Sequence, residues 1–377
     1  MLSAAIRNPE GPEIIVCCGS GGVGKTTVSA AIGLMGAMSG KKTIVLTIDP
    51  ARRLADSLGL KDFNFDAQRV DLKRFSCSSD AAEPELYAMM LDAKRTFDGL
   101  LFRYASDEIR KNILNNRYYQ HLSNNMAGSH EYMAMENLYE IYSQDRYDLI
   151  VLDTPPSRRA LDFLDSPQRL INLLGHRFFM NLFKPYIQVG KWGVRLLNIV
   201  ASPVLRGVGK IVGGQTLADF AEFMKLWDDA LFDGFGYRAT AMKKLLSGHK
   251  TLFLAVSTPQ RLPMKEALYL YERLTENHMP FGGFIINRVE WTDGKKGGKT
   301  ERVDGSSGLE KMVLDAPLKE KMITAYRQIQ KLAEKDAASI ASLIRQIGSR
   351  VAVLQIPMAD GEVANVDDLK QITNYFL

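Results

Sequence analysis

The sequence predicts an α/β fold: a mostly parallel sheet with helices on both faces and a helical block inserted into it. Three observations carry this. Short apolar runs recur at residues 13–18 (EIIVCC), 43–48 (TIVLTI), 148–152 (DLIVL), 251–256 (TLFLAV), 283–286 (GFII) and 351–356 (VAVLQI). They are continuous and rich in β-branched residues, as in strands buried on both faces, where a half-exposed strand would alternate. The stretches between them are long and helix-like, as crossovers between parallel strands require.

Each element has its own reason. The first run ends in a glycine-rich turn, and the VSAAIGLMGAM that follows has helical character. The second and third runs end in carboxylates, Asp49 and Asp153. Leu152 and Thr251 are too far apart for one crossover helix, so residues 157–248 read as an extra, mostly helical block between two halves of the sheet domain, 1–156 and 249–377. Residues 294–308 (GKKGGKTERVDGSSG) have the composition of a surface loop. Residues 309–350 return to helical character with charged faces, and no internal repeat occurs.

Composition narrows the class. With 377 residues, 46% hydrophobic and 24% charged, the chain can bury a large core and is not of disordered type. Three cysteines, Cys17, Cys18 and Cys77, without a CxxC, exclude a disulfide framework or a zinc ribbon. The first eleven residues lack the apolar core of a signal peptide, and no apolar run approaches the ~20 residues of a membrane span. A cytoplasmic protein is expected, with peripheral residence at the inner face of the membrane open to it.

The strongest local signal is Gly19-Ser20-Gly21-Gly22-Val23-Gly24-Lys25-Thr26-Thr27. It fits GxxxxGKT between a buried strand and a helix, the setting of a phosphate-binding loop in a P-loop NTPase. Glycines let the backbone turn its N–H groups onto phosphates, and the following helix presents its positive end to them. Lys25 would neutralise the β- and γ-phosphates, and the Thr26 hydroxyl would bind Mg²⁺. Asp49 and Asp153 end their strands at the carboxyl edge, where open α/β sheets bind ligands. Asp153 fits the metal side, through water, and Asp49 the activation of an attacking water.

These motifs, with TIDPARRLADSLG, LYAMMLDAKRTFD, AGSHEYMAME, DTPPSRRALDFL, TPQRLPMKEALYLYERL, IINR and IPMADGEV, resemble the ArsA-type ATPases. These are deviant-Walker P-loop proteins that include the arsenite-pump ATPase and the targeting ATPase for tail-anchored membrane proteins. The likeness is closest to bacterial homologues of the mycobacterial kind. It implies ATP with Mg²⁺ and a dimer, formed with itself or a paralogue. It also implies a switch role for Asp49, an adenine-reading role for Asn287, and adenine-flanking roles for Pro357 and Met358. Several features depart from the family pattern, among them Arg159 in place of a histidine and the absence of a CxxC that could clamp a dimer through zinc. The signature lysine is Ser20 here, and Arg52, Arg53, Arg158 or Arg159 could supply its charge instead, with surface salt-bridging the alternative role for each. Paired cysteines that could hold arsenite are absent, which argues against arsenite transport.

The net charge of +5 is unevenly placed. Between Asp165 and Asp219 there is no acid and there are seven bases, which leaves −2 for the rest of the chain. Lys184, Lys191 and Arg195 share one helical stripe, with Tyr186, Val189, Leu196, Leu197 and Val200 on the other side. Basic amphipathic helices of this kind fit an internally packed subdomain, a groove for a hydrophobic client protein, or an anionic membrane surface. Aromatic–basic interleaving is sparse, which argues against nucleic acid. The function expected is a Mg²⁺-dependent ATPase that switches conformation to drive transport or targeting of a membrane-associated client. A nucleotide-gated chaperone with little hydrolysis and a MinD/ParA-like positioning ATPase are the alternatives.

Overall fold

The computed structural model describes residues 2–48, 53–60, 64–75, 83–114, 129–155, 237–291, 315–359, 361 and 363–376. The strands are β1 (Ile14–Gly19), β2 (Thr43–Thr47), β3 (Gln68–Arg69), β4 (Leu86–Met90), β5 (Leu149–Asp153), β6 (Thr251–Ser257), β7 (Phe281–Val289) and β8 (Val353–Pro357). The helices are α1 (Leu2–Arg7), α2 (Lys25–Met38), α3 (Arg53–Leu58), α4 (Ala93–Tyr104), α5 (Asp107–Leu114), α6 (Ser129–Ser143), α7 (Arg261–Glu276), α8 (Ala316–Ile347) and α9 (Val366–Thr373). The chain divides into two compact units. One is Met1–Met90, Tyr147–Ala160 and Leu246–Leu377; the other is Leu91–Arg146 and Leu161–Leu245. The sequence reading assigned residues 91–146 to the ATPase domain; by contacts they group with the second unit.

The first unit is built on one sheet of order β3-β4-β2-β5-β1-β6-β7-β8. All pairs are parallel except β3 with β4, so the mostly parallel α/β fold is borne out. All six predicted strands are present. The two others, β3 and β4, form one edge. β4 escaped notice because LYAMM is half-buried and leans on methionine, which has no strong strand preference.

Continuous apolar runs are explained by burial on both faces. Ile15, Cys17, Val45, Val151, Leu254 and Ile285 join a core with Val28 and Ile32 of α2, Leu54 of α3 and Leu369 of α9. Their neighbours Ile14, Val16, Ile44, Ile150 and Phe253 point the other way and are equally inaccessible. On that side α7 packs against β6, β1 and β7 through a stripe that includes Met264, Ala267, Leu270 and Leu274. In α2, a Cβ at Gly33 would lie 2.3 Å from Val45 Cγ2, and one at Gly36 would lie 2.6 Å from Leu149 Cδ2. Two glycines thus let this helix rest directly on β2 and β5. α8 ends at Gly348, whose φ of 76° suits glycine as a helix stop.

In the second unit α4 starts on Asp92, whose carboxylate accepts from the Arg95 backbone N–H. Arg238, in a helical stretch over residues 237–246, donates through Nε to Glu136 of α6 at 2.7 Å, both side chains being almost inaccessible. Most of the predicted helical insertion, residues 157–236, lies outside the described residues. Among the described residues no helix is long and apolar enough to cross a membrane.

Candidate functional site

β1 is the pivot of the sheet, paired on one side with β5 and on the other with β6. Its carboxyl end delivers Gly19 to the loop, and α2 begins at Lys25. Val23, 1% exposed, pins the loop to the core, while Gly21 and Gly22 face outward. Gly24 is the cap of α2 with φ 89° and ψ 27°, a left-handed conformation. A Cβ there would meet Asn287 Nδ2 at 2.3 Å. Glycine is needed at 24 for both reasons.

Lys25 is 7% exposed, and its ammonium folds back onto the loop, donating to the Ser20 carbonyl at 2.7 Å. Thr26 donates through its hydroxyl to Asp153 Oδ2 at 2.7 Å, and Thr47 at the end of β2 donates to the same oxygen at 3.0 Å. Asp153 ends β5, in register with Cys17 of β1 and Thr47 of β2, and is 1% exposed. Parallel pairing of three adjacent strands therefore brings the loop threonine, the strand-end carboxylate and a second hydroxyl together. Thr154 locks the next peptide by donating from its hydroxyl to the Cys17 carbonyl at 2.8 Å.

Oxygen donors of this kind suit Mg²⁺, which takes one or two protein oxygens and fills its shell with water and phosphate.

The other side of the loop is held by β7. Asn287, 8% exposed, donates through Nδ2 to the Val23 carbonyl at 2.9 Å. The next residue, Arg288, donates through Nη1 to the Gly22 carbonyl at 3.1 Å. Pro357 pairs with Val289, and the Met358 N–H donates to the Val289 carbonyl at 3.0 Å. The three residues expected around adenine are thus gathered at the ends of two neighbouring strands, with Met358 exposed.

Ser20, at the signature-lysine position, donates its hydroxyl to Glu266 Oε2 of α7 at 2.5 Å. Asp49 lies outside the described residues, as do Arg52, Arg158 and Arg159, while Arg53 is exposed at the start of α3. Sequence reasoning missed Thr47, Glu266 and Arg288. A threonine closing an otherwise apolar buried strand was a usable signal for the first. Glu266 and Arg288 carry no local signal, because each acts on a loop far away in the sequence.

Both cysteines of β1 are deep in the core. Burial pushes the Cys17 thiol far up, and that of Cys18 up to about 12. Both thiols stay protonated and out of reach of solvent at neutral pH.

The family model for anion-transporting ATPases matches residues 12–335. A Paramecium tetraurelia protein named ATPase ASNA1 homolog 2 is 25% identical over 385 residues, covering 100% of this chain and 96% of that protein. ATPase GET3 of Komagataella phaffii is 27% identical over 297 residues, covering 77% of this chain and 76% of its own. An ATPase ASNA1 homolog of Entamoeba dispar is 25% identical, over 72% of this chain and 74% of that protein. A phosphate loop on the pivot strand, with a match spanning most of the chain, assigns it: the chain belongs to the anion-transporting ATPase family and is an ATPase.

Proposed function

We propose that this ATPase binds ATP with Mg²⁺ on the loop from Gly19 to Thr27 and uses its hydrolysis to switch conformation, driving transport or targeting of a membrane-associated client. The observation that carries the reading is the convergence of Thr26 and Thr47 on Asp153 beside a buried Lys25. The loop N–H groups and Lys25 hold the phosphates. Thr26 and Asp153 would hold Mg²⁺, which on binding neutralises charge on the β- and γ-phosphate oxygens. Asn287 presents its amide oxygen to the adenine amino group while its Nδ2 stays on the loop, and Pro357 and Met358 flank the ring. Asp49 orients the attacking water.

Asp153 and Thr154 are tied to β1 and α2, so a change at the phosphates is carried into the chain beyond residue 155. That following segment, within residues 157–248, is proposed as the client-facing or membrane-facing part. Two copies, or this chain with a paralogue, form the working unit, in the cytoplasm and peripherally at the membrane. The relatives named ATPase GET3 and ATPase ASNA1 homolog support the ATPase reading.

The test is affinity capture with Asp49→Asn protein, which should bind ATP, fail to hydrolyse it and retain its client. Flotation with anionic liposomes and capture of hydrophobic peptides, each with ATP and with ADP, separate a membrane from a protein client. Undiminished turnover in Asp49→Asn would refute the role of that residue, and nucleotide-independent capture would refute the switch.

A further inference from the structure

We propose that Arg288 is a positioning residue of the phosphate loop. It clamps the loop's outward carbonyl at Gly22 and supplies, from within the same chain, a cation that the loop lacks at Ser20. The inference rests on the reading of residues 19–27 as the nucleotide-phosphate site.

The backbone is the first reason. Pairing of β7 with β8 runs to Ile286 opposite Gln355 and resumes at Val289 opposite Pro357. Two residues of β7, Asn287 and Arg288, thus stand against Ile356 alone, which is a β-bulge. Arg288 has φ 59°, in the left-handed region that an arginine rarely enters. Bulges and left-handed residues gather where a side chain has to be re-aimed. Successive side chains of a regular strand point to opposite faces. Here the bulge turns two consecutive ones onto one loop, Asn287 to the Val23 carbonyl and Arg288 to the Gly22 carbonyl.

The chemistry is the second reason. The Gly22 carbonyl belongs to the same peptide group as the Val23 N–H, and the Val23 carbonyl to that of the Gly24 N–H. In a phosphate loop these N–H groups face the phosphates. A carbonyl that accepts a hydrogen bond polarises its peptide group and makes the N–H a stronger donor. Two such bonds on adjacent carbonyls stiffen the loop and sharpen two adjacent donors. The guanidinium holds a carbonyl, so this contact does not cancel its charge, and arginine stays charged at every working pH. Ser20, by contrast, brings a hydroxyl and, through it, the carboxylate of Glu266.

The experiment is titration of full-length protein with a fluorescent ATP analogue. Wild type is compared with Arg288→Asn, Arg288→Lys and Lys25→Ala at low and high salt. Asparagine tolerates the left-handed backbone, so Arg288→Asn removes the cation without adding strain. It should bind about tenfold more weakly at low salt, and the deficit should shrink as salt screens the exposed charge. Arg288→Lys should recover part of the loss, and Lys25→Ala should abolish binding. Wild-type affinity in Arg288→Asn beside a dead Lys25→Ala would overturn the clamp while leaving the phosphate site standing. Equal losses in the Asn and Lys variants, or a deficit indifferent to salt, would overturn the role of the charge. Full binding by Lys25→Ala would overturn the phosphate-site reading and the clamp with it.

Discussion

Gly24 offers a quantitative test of how the phosphate loop is held. In Gly24→Ala the new methyl meets two penalties. The φ of 89° is left-handed, which costs an L-residue about 1–2 kcal/mol. The Cβ would also stand 2.3 Å from Asn287 Nδ2, so the amide has to leave its 2.9 Å bond to the Val23 carbonyl. Losing a bond from that buried amide costs roughly 1–2 kcal/mol, and the variant should lose about 3 kcal/mol in total. Asn287→Ala alone forfeits the bond and should cost about 1–2 kcal/mol. With the bond already gone, adding Gly24→Ala to the Asn287→Ala protein brings in the backbone strain alone. The double variant should therefore match Gly24→Ala, falling short of additivity by about 1–2 kcal/mol. Urea unfolding with constant slope gives the energies, and hydrogen exchange of the α2 amides localises them, since α2 is a core helix starting at this residue. Additive losses, or a Gly24→Ala protein as stable as wild type, would refute the contact on which both the adenine and clamp arguments lean.

Four further outcomes are expected. Glu136→Ala removes the carboxylate that Arg238 Nε reaches at 2.7 Å and should destabilise the second unit, measured by thermal unfolding, whereas Glu136→Gln, still an acceptor, should cost less. Cys17 and Cys18 should resist iodoacetamide in native protein at pH 8 and react on unfolding, as read by mass spectrometry; rapid native labelling would contradict their burial. The same burial sets a pH trend: above pH 9 an unfolded thiol gives up its proton while the native one keeps it until about 12, so these thiols lower stability as pH rises through that window. Ser20→Lys should keep hydrolysis, because Glu266 offers the new ammonium a carboxylate within the same chain; a dead variant would give the Ser20 hydroxyl a role of its own.

The sheet was legible where burial is symmetrical. β1, β2 and β5 are buried along their whole length, so their composition announces them without a partner being known. β4 is buried at Leu86 and Ala88 and partly open at its other positions, and β3 is two residues long. β8, at the opposite edge, is also only partly buried but carries the apolar run VAVLQI, whereas β3 and β4 contain no β-branched residue to announce them.

The site divides along the same line. Its inner wall is local: Lys25 and Thr26 stand in a motif, and Asp153 ends a run that looks like a strand, so residue types and spacing suffice to propose them. Its outer wall is not local. Glu266 lies 246 positions from Ser20, Asn287 lies 264 from Val23, and Arg288 lies 266 from Gly22. These meet because β6 lies beside β1 and β7 beside β6 in the sheet, an order no periodicity encodes. The position of Ser20 shows the consequence. Read along the chain, serine there is a missing lysine, and the search for a substitute turns to arginines near the other motifs. In the fold the serine is bonded to a carboxylate, and a cation reaches the same loop from a bulge at the end of β7. A deletion that straightened this bulge would return Arg288 to strand alternation and take it off Gly22, with Ser20, Lys25 and Asp153 unchanged. Because that deletion removes Asn287, a loss of affinity beyond that of Asn287→Ala, with Lys25 intact, would locate part of the phosphate site in the register of β7 against β8.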